Sequence, residues 1–313
     1  MYHTELIEFP TSDNLSLPGV LFTPQKKTKK VCIFLHGNGS ASVFYSQKRT
    51  KVLARRLVEQ GIAFLAFNNR GAHFIKTINR ADPLQSTNKD QNPFYDDVTL
   101  GTAYELIKDC TYDINGAVKF LQDQGYQEFY LIGHSSGANK ICVYDHYQPR
   151  NLIHKYVLLS GGDDTGLYFQ LINNKDKFFQ YLQQAKKKIA QGKGEELIPE
   201  HIAQRWLSYQ SFYDTANPDG DYNTFPFFEY TQKLNLSTKP LFRYFKKITK
   251  PCLVIYGELD HCVPEGNGRL AIEILSLWVK NKENFTFHVI PEADHGFHEQ
   301  EAELAQKITG WLA

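Results

Sequence analysis

Apolar residues follow two rhythms along this chain. Short, nearly continuous runs occur at VCIFL (31–35), IAFLAF (62–67), FYLIG (129–133), YVLLS (156–160), CLVIYG (252–257) and FTFHVI (285–290). Their length and their β-branched and aromatic content predict strands covered on both faces. Between them the spacing turns helical: roughly 44–60 with Val52, Leu53, Leu57 and Val58, 111–124 with Ile114, Val118 and Leu121, and 267–280. Strand and helix in alternation predict βαβ units, hence an α/β fold with a mostly parallel, doubly wound sheet. The opening stretch ELIEFPTSDNLSLPGVLFTP alternates in polarity and turns at Ser-Asp-Asn, which predicts a leading antiparallel hairpin. No segment repeats at a fixed period.

The alternation breaks once. From about Asp163 to Phe245 strand-like runs are scarce, and the chain is rich in Lys, Gln and aromatic residues, as in KFFQYLQQAKKKIAQGKGEELIPEHIAQRWLSYQSFYD. Several helices inserted between consecutive strands explain this, laid as a cap over one end of the sheet. The expected division is a core of 1–162, a helical cap insert of 163–245, and the rest of the core, 246–313. The insert's aromatics, among them Phe178, Trp206, Phe212, Phe225 and Tyr230, allow two readings. They either line an apolar pocket or weld short helices together.

Composition narrows the picture by exclusion. Thirty-five basic residues against 34 acidic ones leave a net charge of +1, so neither nucleic acid nor an anionic membrane surface is an expected partner. With 42% hydrophobic and 22% charged residues the chain can bury a sizeable core. No apolar run approaches the ~20 residues of a membrane span, and the first residues lack the pattern of a secretory signal. Cys32, Cys110, Cys142, Cys252 and Cys262 are odd in number, scattered and free of any C-x-x-C pair. They read as reduced thiols in a cytoplasmic protein.

The candidate chemistry follows the strands, where open α/β sheets bind their ligands. After 129–133 comes Gly133-His134-Ser135-Ser136-Gly137, and then the helical ANKICVYDHY. Gly-x-Ser-x-Gly arises by chance in roughly one chain of this length in ten. Its position between strand and helix is what makes it a nucleophile elbow, with Ser135 on a sharp, strained turn. A serine hydroxyl needs a base, itself oriented by an acid. His295, in PEADHGF after the last strand, is the candidate base. Strand 31–35 runs into His36-Gly37-Asn38-Gly39-Ser40, whose Asn38 amide, with that of Ser136, can form an oxyanion hole. His36 is expected to brace that loop. No set of His, Asp and Glu has metal-ligand spacing.

With HGNG, GHSSG, GELDHCVP and ADHGF in this order, the chain resembles the α/β-hydrolases over nearly its whole length outside the insert. Within them, NNRGAH (68–73) and GHSSGANKI (133–141) look similar to a group of soluble hydrolases near the siderophore-ester hydrolases. The resemblance implies an acyl-enzyme on Ser135, Asp260 as the acid, and no metal or organic cofactor. Asp163, after the preceding strand, and Glu258 are rival acids. The activity so implied is hydrolysis of small or medium carboxylic esters as small-molecule substrates. Lactone, thioester or amide cleavage, a C–C hydrolase or lyase on the same fold, and a non-catalytic receptor are the alternatives, because the triad is shared and the pocket decides.

Overall fold

The structure is a computed structural model that describes residues 2–44, 47–81, 97–203 and 206–313. All six expected strands form. The expected leading hairpin is β1 (Tyr2–Pro10) and β2 (Ser16–Pro24), paired antiparallel from Tyr2↔Pro24 to Pro10↔Ser16. The core strands are β3 (Lys30–Leu35), β4 (Ala63–Phe67), β7 (Glu128–His134), β8 (Ile153–Leu159), β9 (Cys252–Leu259) and β10 (Phe285–Asp294). They join the hairpin in one eight-stranded sheet of order β1-β2-β4-β3-β7-β8-β9-β10. Every pairing from β4 to β10 is parallel, while β2 meets β4 antiparallel. A two-stranded antiparallel ribbon, β5 (Lys76–Asn79) with β6 (Asp97–Leu100), stands apart from it.

The continuous apolar runs reflect burial on both faces. In β3, Cys32 and Phe34 face one side and Val31, Ile33 and Leu35 the other, all essentially inaccessible. Helices α1 (Lys48–Glu59) and α9 (Glu301–Leu312) cover the first face through Leu53, Leu57, Leu304 and Ile308. Helices α2 (Cys110–Asp123), α3 (Ser136–Tyr147) and α8 (Gly268–Trp278) cover the second through Ile114, Ile141 and Ile274. Burying such side chains supplies ~1.5–3 kcal/mol each. This is the doubly wound architecture of the α/β-hydrolase fold.

Between β8 and β9 the described residues form the α-helices α4 (Asp164–Ile172), α5 (Lys175–Ala190), α6 (Tyr209–Ala216) and α7 (Phe227–Gln232). Phe178, Leu182, Ile198, Leu207 and Phe212 form a separate apolar cluster here. By contrast Tyr222, Phe225, Phe227, Phe242 and Phe245 belong to the main core. Most of these aromatics therefore hold helices to one another and to the sheet, as Phe227 does edge-on against Tyr256 of β9. Trp206, at 65% exposed, belongs to neither cluster.

Candidate active site

The β7–α3 turn is built by what its glycines lack. A Cβ on Gly133 would sit 2.2 Å from the carbonyl oxygen of Gly137, and one on Gly137 would sit 2.3 Å from that of Leu35. Only with both side chains missing can α3 approach β7 and β3 this closely. Ser135, between them, has φ 55° and ψ −126°, a left-handed strain that serine rarely carries. Its amide is held by the carbonyl of Leu159 at 2.9 Å. The side chain stands partly exposed at the tip, flanked by the loops after β3 and β8. Its Oγ lies 3.4 Å from the Cβ position of Gly37 and 4.0 Å from that of Gly162.

His295 follows β10. Its Nδ1 lies 2.8 Å from Oδ1 of Asp260, a wholly buried carboxylate just beyond β9. Because a carboxylate only accepts, Nδ1 carries the proton of this hydrogen bond, which leaves Nε2 as the atom with a lone pair. Burial works against a charge on the ring, but Asp260 and then Cys262 outweigh it and hold the His295 pKa above the usual histidine value.

The rival acids are engaged elsewhere. Asp163 caps α4: its Oδ1 accepts from the Gly166 amide at 2.7 Å, and its Oδ2 from the Phe228 amide at 2.8 Å. Glu258 binds Arg269 at 2.7 Å and the Glu292 amide at 3.0 Å. Asp294 pairs with His298 at 2.7 Å.

The loop after β3 is braced as its sequence suggests, by residues a linear reading could not connect. His36 donates from Nδ1 to the carbonyl of Gly37 at 2.8 Å and accepts at Nε2 from the Asn69 amide at 3.2 Å. Burial first, then the charge of Lys140, lower its pKa to about 3, so it stays neutral in this role. Asn68 Oδ1 accepts from the amides of Ser42 and Val43 at 2.7 and 2.9 Å. Arg70 is tied to Asp113 at 2.8 Å and to Asp13 at 2.9 Å. The NNRGAH stretch is thus the scaffold of the neighbouring loop. Among the described residues the amides of Asn38 and Ser136 have no hydrogen-bond acceptor.

Three further side chains, those of His134, Arg49 and Asn139, brace the loops of the site. His134 turns under the loop of His295 and donates from Nε2 to the His295 carbonyl at 2.8 Å, the rings 4.9 Å apart. Burial, then the charge of Arg49, hold its pKa well below normal, so it remains a neutral strut. Arg49 of α1, itself buried, donates to the Gly296 carbonyl at 2.6 Å. Two successive carbonyls around His295 are therefore clamped. Asn139 does the same for the loop after β8, bonding both the carbonyl and the amide of Gly162, at 2.9 and 3.2 Å.

The sheet order, the glycine-tight elbow and the carboxylate-bound histidine after the last strand define the class: an α/β-hydrolase fold. Similar solved structures share it. Est1E from Butyrivibrio proteoclasticus is 16% identical at a TM-score of 0.57, over 98% of this chain and 97% of that one. An esterase from Pyrococcus furiosus, Pf2001, is 17% identical at 0.56, over 100% and 92%. The α/β hydrolase GrgF from Penicillium sp. sh18 is 14% identical at 0.60, over 98% and 97%. No curated protein matches the chain by sequence. The chain belongs to the family described as protein of unknown function DUF1749, whose model matches residues 100–313.

Proposed function

We propose that the chain is a serine hydrolase that cleaves carboxylic esters of small or medium size. The observation that carries this reading is the 2.8 Å hydrogen bond between Asp260 and His295. It fixes the imidazole tautomer that leaves Nε2 free to accept a proton, on the loop that His134 ties to the serine elbow. In this mechanism His295 takes the Ser135 proton as Oγ attacks the ester carbonyl, and the amides of Asn38 and Ser136 hold the developing oxyanion. His295 then gives the proton to the leaving alcohol. Water, activated by the same histidine, attacks the acyl-enzyme and releases the acid. The helices of 163–245 serve as the cap that bounds the substrate's side of this site. The name of the Pyrococcus furiosus relative, an esterase, agrees with this chemistry.

A panel of nitrophenyl esters, anilides and lactones tests the reading. Turnover of short and medium acyl esters well above that of anilides and lactones is expected. Turnover confined to anilides or lactones, or no turnover by folded protein, would contradict it.

A further inference from the structure

The Asp260 loop carries a thiol that the proposed mechanism does not use. The Cys262 amide donates to Asp260 Oδ1 at 3.0 Å, which curls the loop back on itself. This places the Cys262 thiol beside the imidazole of His295. One donor atom from each of Asp260, Cys262 and His295 lies within 4.8 Å of the other two. The second oxygen of Asp260, Oδ2, is buried and has no hydrogen-bond partner among the described residues. Cys262 and His295 are partly exposed, so an ion has a route in.

Thiolate, imidazole and carboxylate are the three donor types that zinc takes, whereas calcium and magnesium demand oxygen. Tetrahedral zinc with bonds of 2.0–2.3 Å sets its donors about 3.5 Å apart. The cluster therefore has to close by about an ångström, within the reach of a cysteine on a loop. The exposed ring of His261, centred 5.6 Å from that of His295, is at hand for the fourth position, which water otherwise fills.

We propose that this protein binds a borderline-soft divalent cation, Zn²⁺, through Cys262, His295 and Asp260, and that the bound ion switches hydrolysis off. The loss of activity rests on the proposed function; the binding does not. On binding, the Cys262 thiol gives its proton to water and its sulfur bonds the metal. The imidazole gives up to water any second proton it carries, contributes one nitrogen lone pair and keeps one proton on the other nitrogen. If the metal takes Nδ1, the proton lies on Nε2, and no lone pair faces the Ser135 hydroxyl. If it takes Nε2, the lone pair is consumed. The base is lost in both cases, and binding strengthens as pH rises because a proton is released.

Co²⁺ is the probe, added to metal-free full-length protein without substrate. A saturable near-ultraviolet thiolate-to-cobalt absorption, displaced by Zn²⁺, is expected in the wild type and in Ser135→Ala. Cys262→Ser should lack it; the other four cysteines are buried and cannot stand in. In ester assays, each variant is compared with its own metal-free rate. Zn²⁺ should inhibit the wild type, a chelator should restore it, and Cys262→Ser should need at least about tenfold more Zn²⁺. No cobalt band in folded wild type, or equal Zn²⁺ sensitivity in Cys262→Ser, would overturn the proposal. The band does not depend on turnover, so absence of esterase activity would sink the proposed function and leave this readout intact.

Discussion

At the scale of single residues, three carboxylates competed for one histidine, and their partners now separate them. Asp260→Asn should lower ester turnover by ~10³–10⁴, since an amide can select the wrong imidazole tautomer and cannot stabilise its cation. Asp163→Asn should change turnover far less, because that side chain serves backbone amides of α4 and α7. A large loss at Asp163 with little at Asp260 would move the acid to the end of β8. The same Asp260 contact sets a pH dependence. A raised imidazole pKa keeps the ring protonated to higher pH, and a protonated ring cannot act as base. The acid limb of kcat/KM should therefore have its midpoint above the ordinary ~6.5. A midpoint at or below that value would show that Asp260 does not govern the ring. His295 and Ser135 were legible because each sits in a short local pattern after a strand. The bond between Asp260 and His295 spans 35 positions, and only the family resemblance pointed to it.

At the scale of elements, the strands could be read because burial on both faces leaves an unbroken apolar run. The β5–β6 ribbon could not: KTIN and DVTL are short, polar and only partly buried. Helix α9 also passed unread, although Leu304, Ile308 and Leu312 recur at helical spacing. The clamp from α1 to the loop after β10 left no local signal either, since an arginine on a helix is normally a solvated one. Arg49→Leu should remove the bond to Gly296 and let the loop of His295 drift. A fall in kcat of roughly 10- to 100-fold with little change in KM is expected, since small misplacements of a base are costly. Arg49→Lys, which keeps a donor, should recover part of the loss. Equal loss in both variants, together with a matching fall in thermal midpoint, would reduce Arg49 to a packing role.

The whole molecule combines a sheet that explains itself with an inserted segment that does not. Helices were expected between β8 and β9. That their aromatics would divide between a cluster of their own and the main core was not legible, because it depends on which surfaces meet. Two acids of this segment, Asp163 buried and Asp214 partly buried, affect global stability. Burial raises Asp163 and Asp214 to about 7, against the bonds they accept from backbone amides. A carboxyl whose folded pKa exceeds its unfolded one (about 3.9) stabilises fully below the unfolded value. That contribution is lost as pH rises through about 7. Compared with Asp163→Asn, the wild type should therefore gain unfolding free energy as pH falls from 8 to 5 in urea titrations. A difference that is flat or of opposite sign over this window would mean that Asp163 is charged in the folded chain.

Everything proposed about catalysis depends on Ser135 being the activated nucleophile. Reaction with a fluorophosphonate, followed by peptide mapping by mass, measures this without any assumption about substrate. One phosphonylated site per chain, on the peptide carrying Ser135, is the predicted result, with Ser135→Ala unlabelled at an unchanged thermal midpoint. Folded wild-type protein that takes no label, or takes it on another residue while Ser135→Ala labels equally well, would contradict the account.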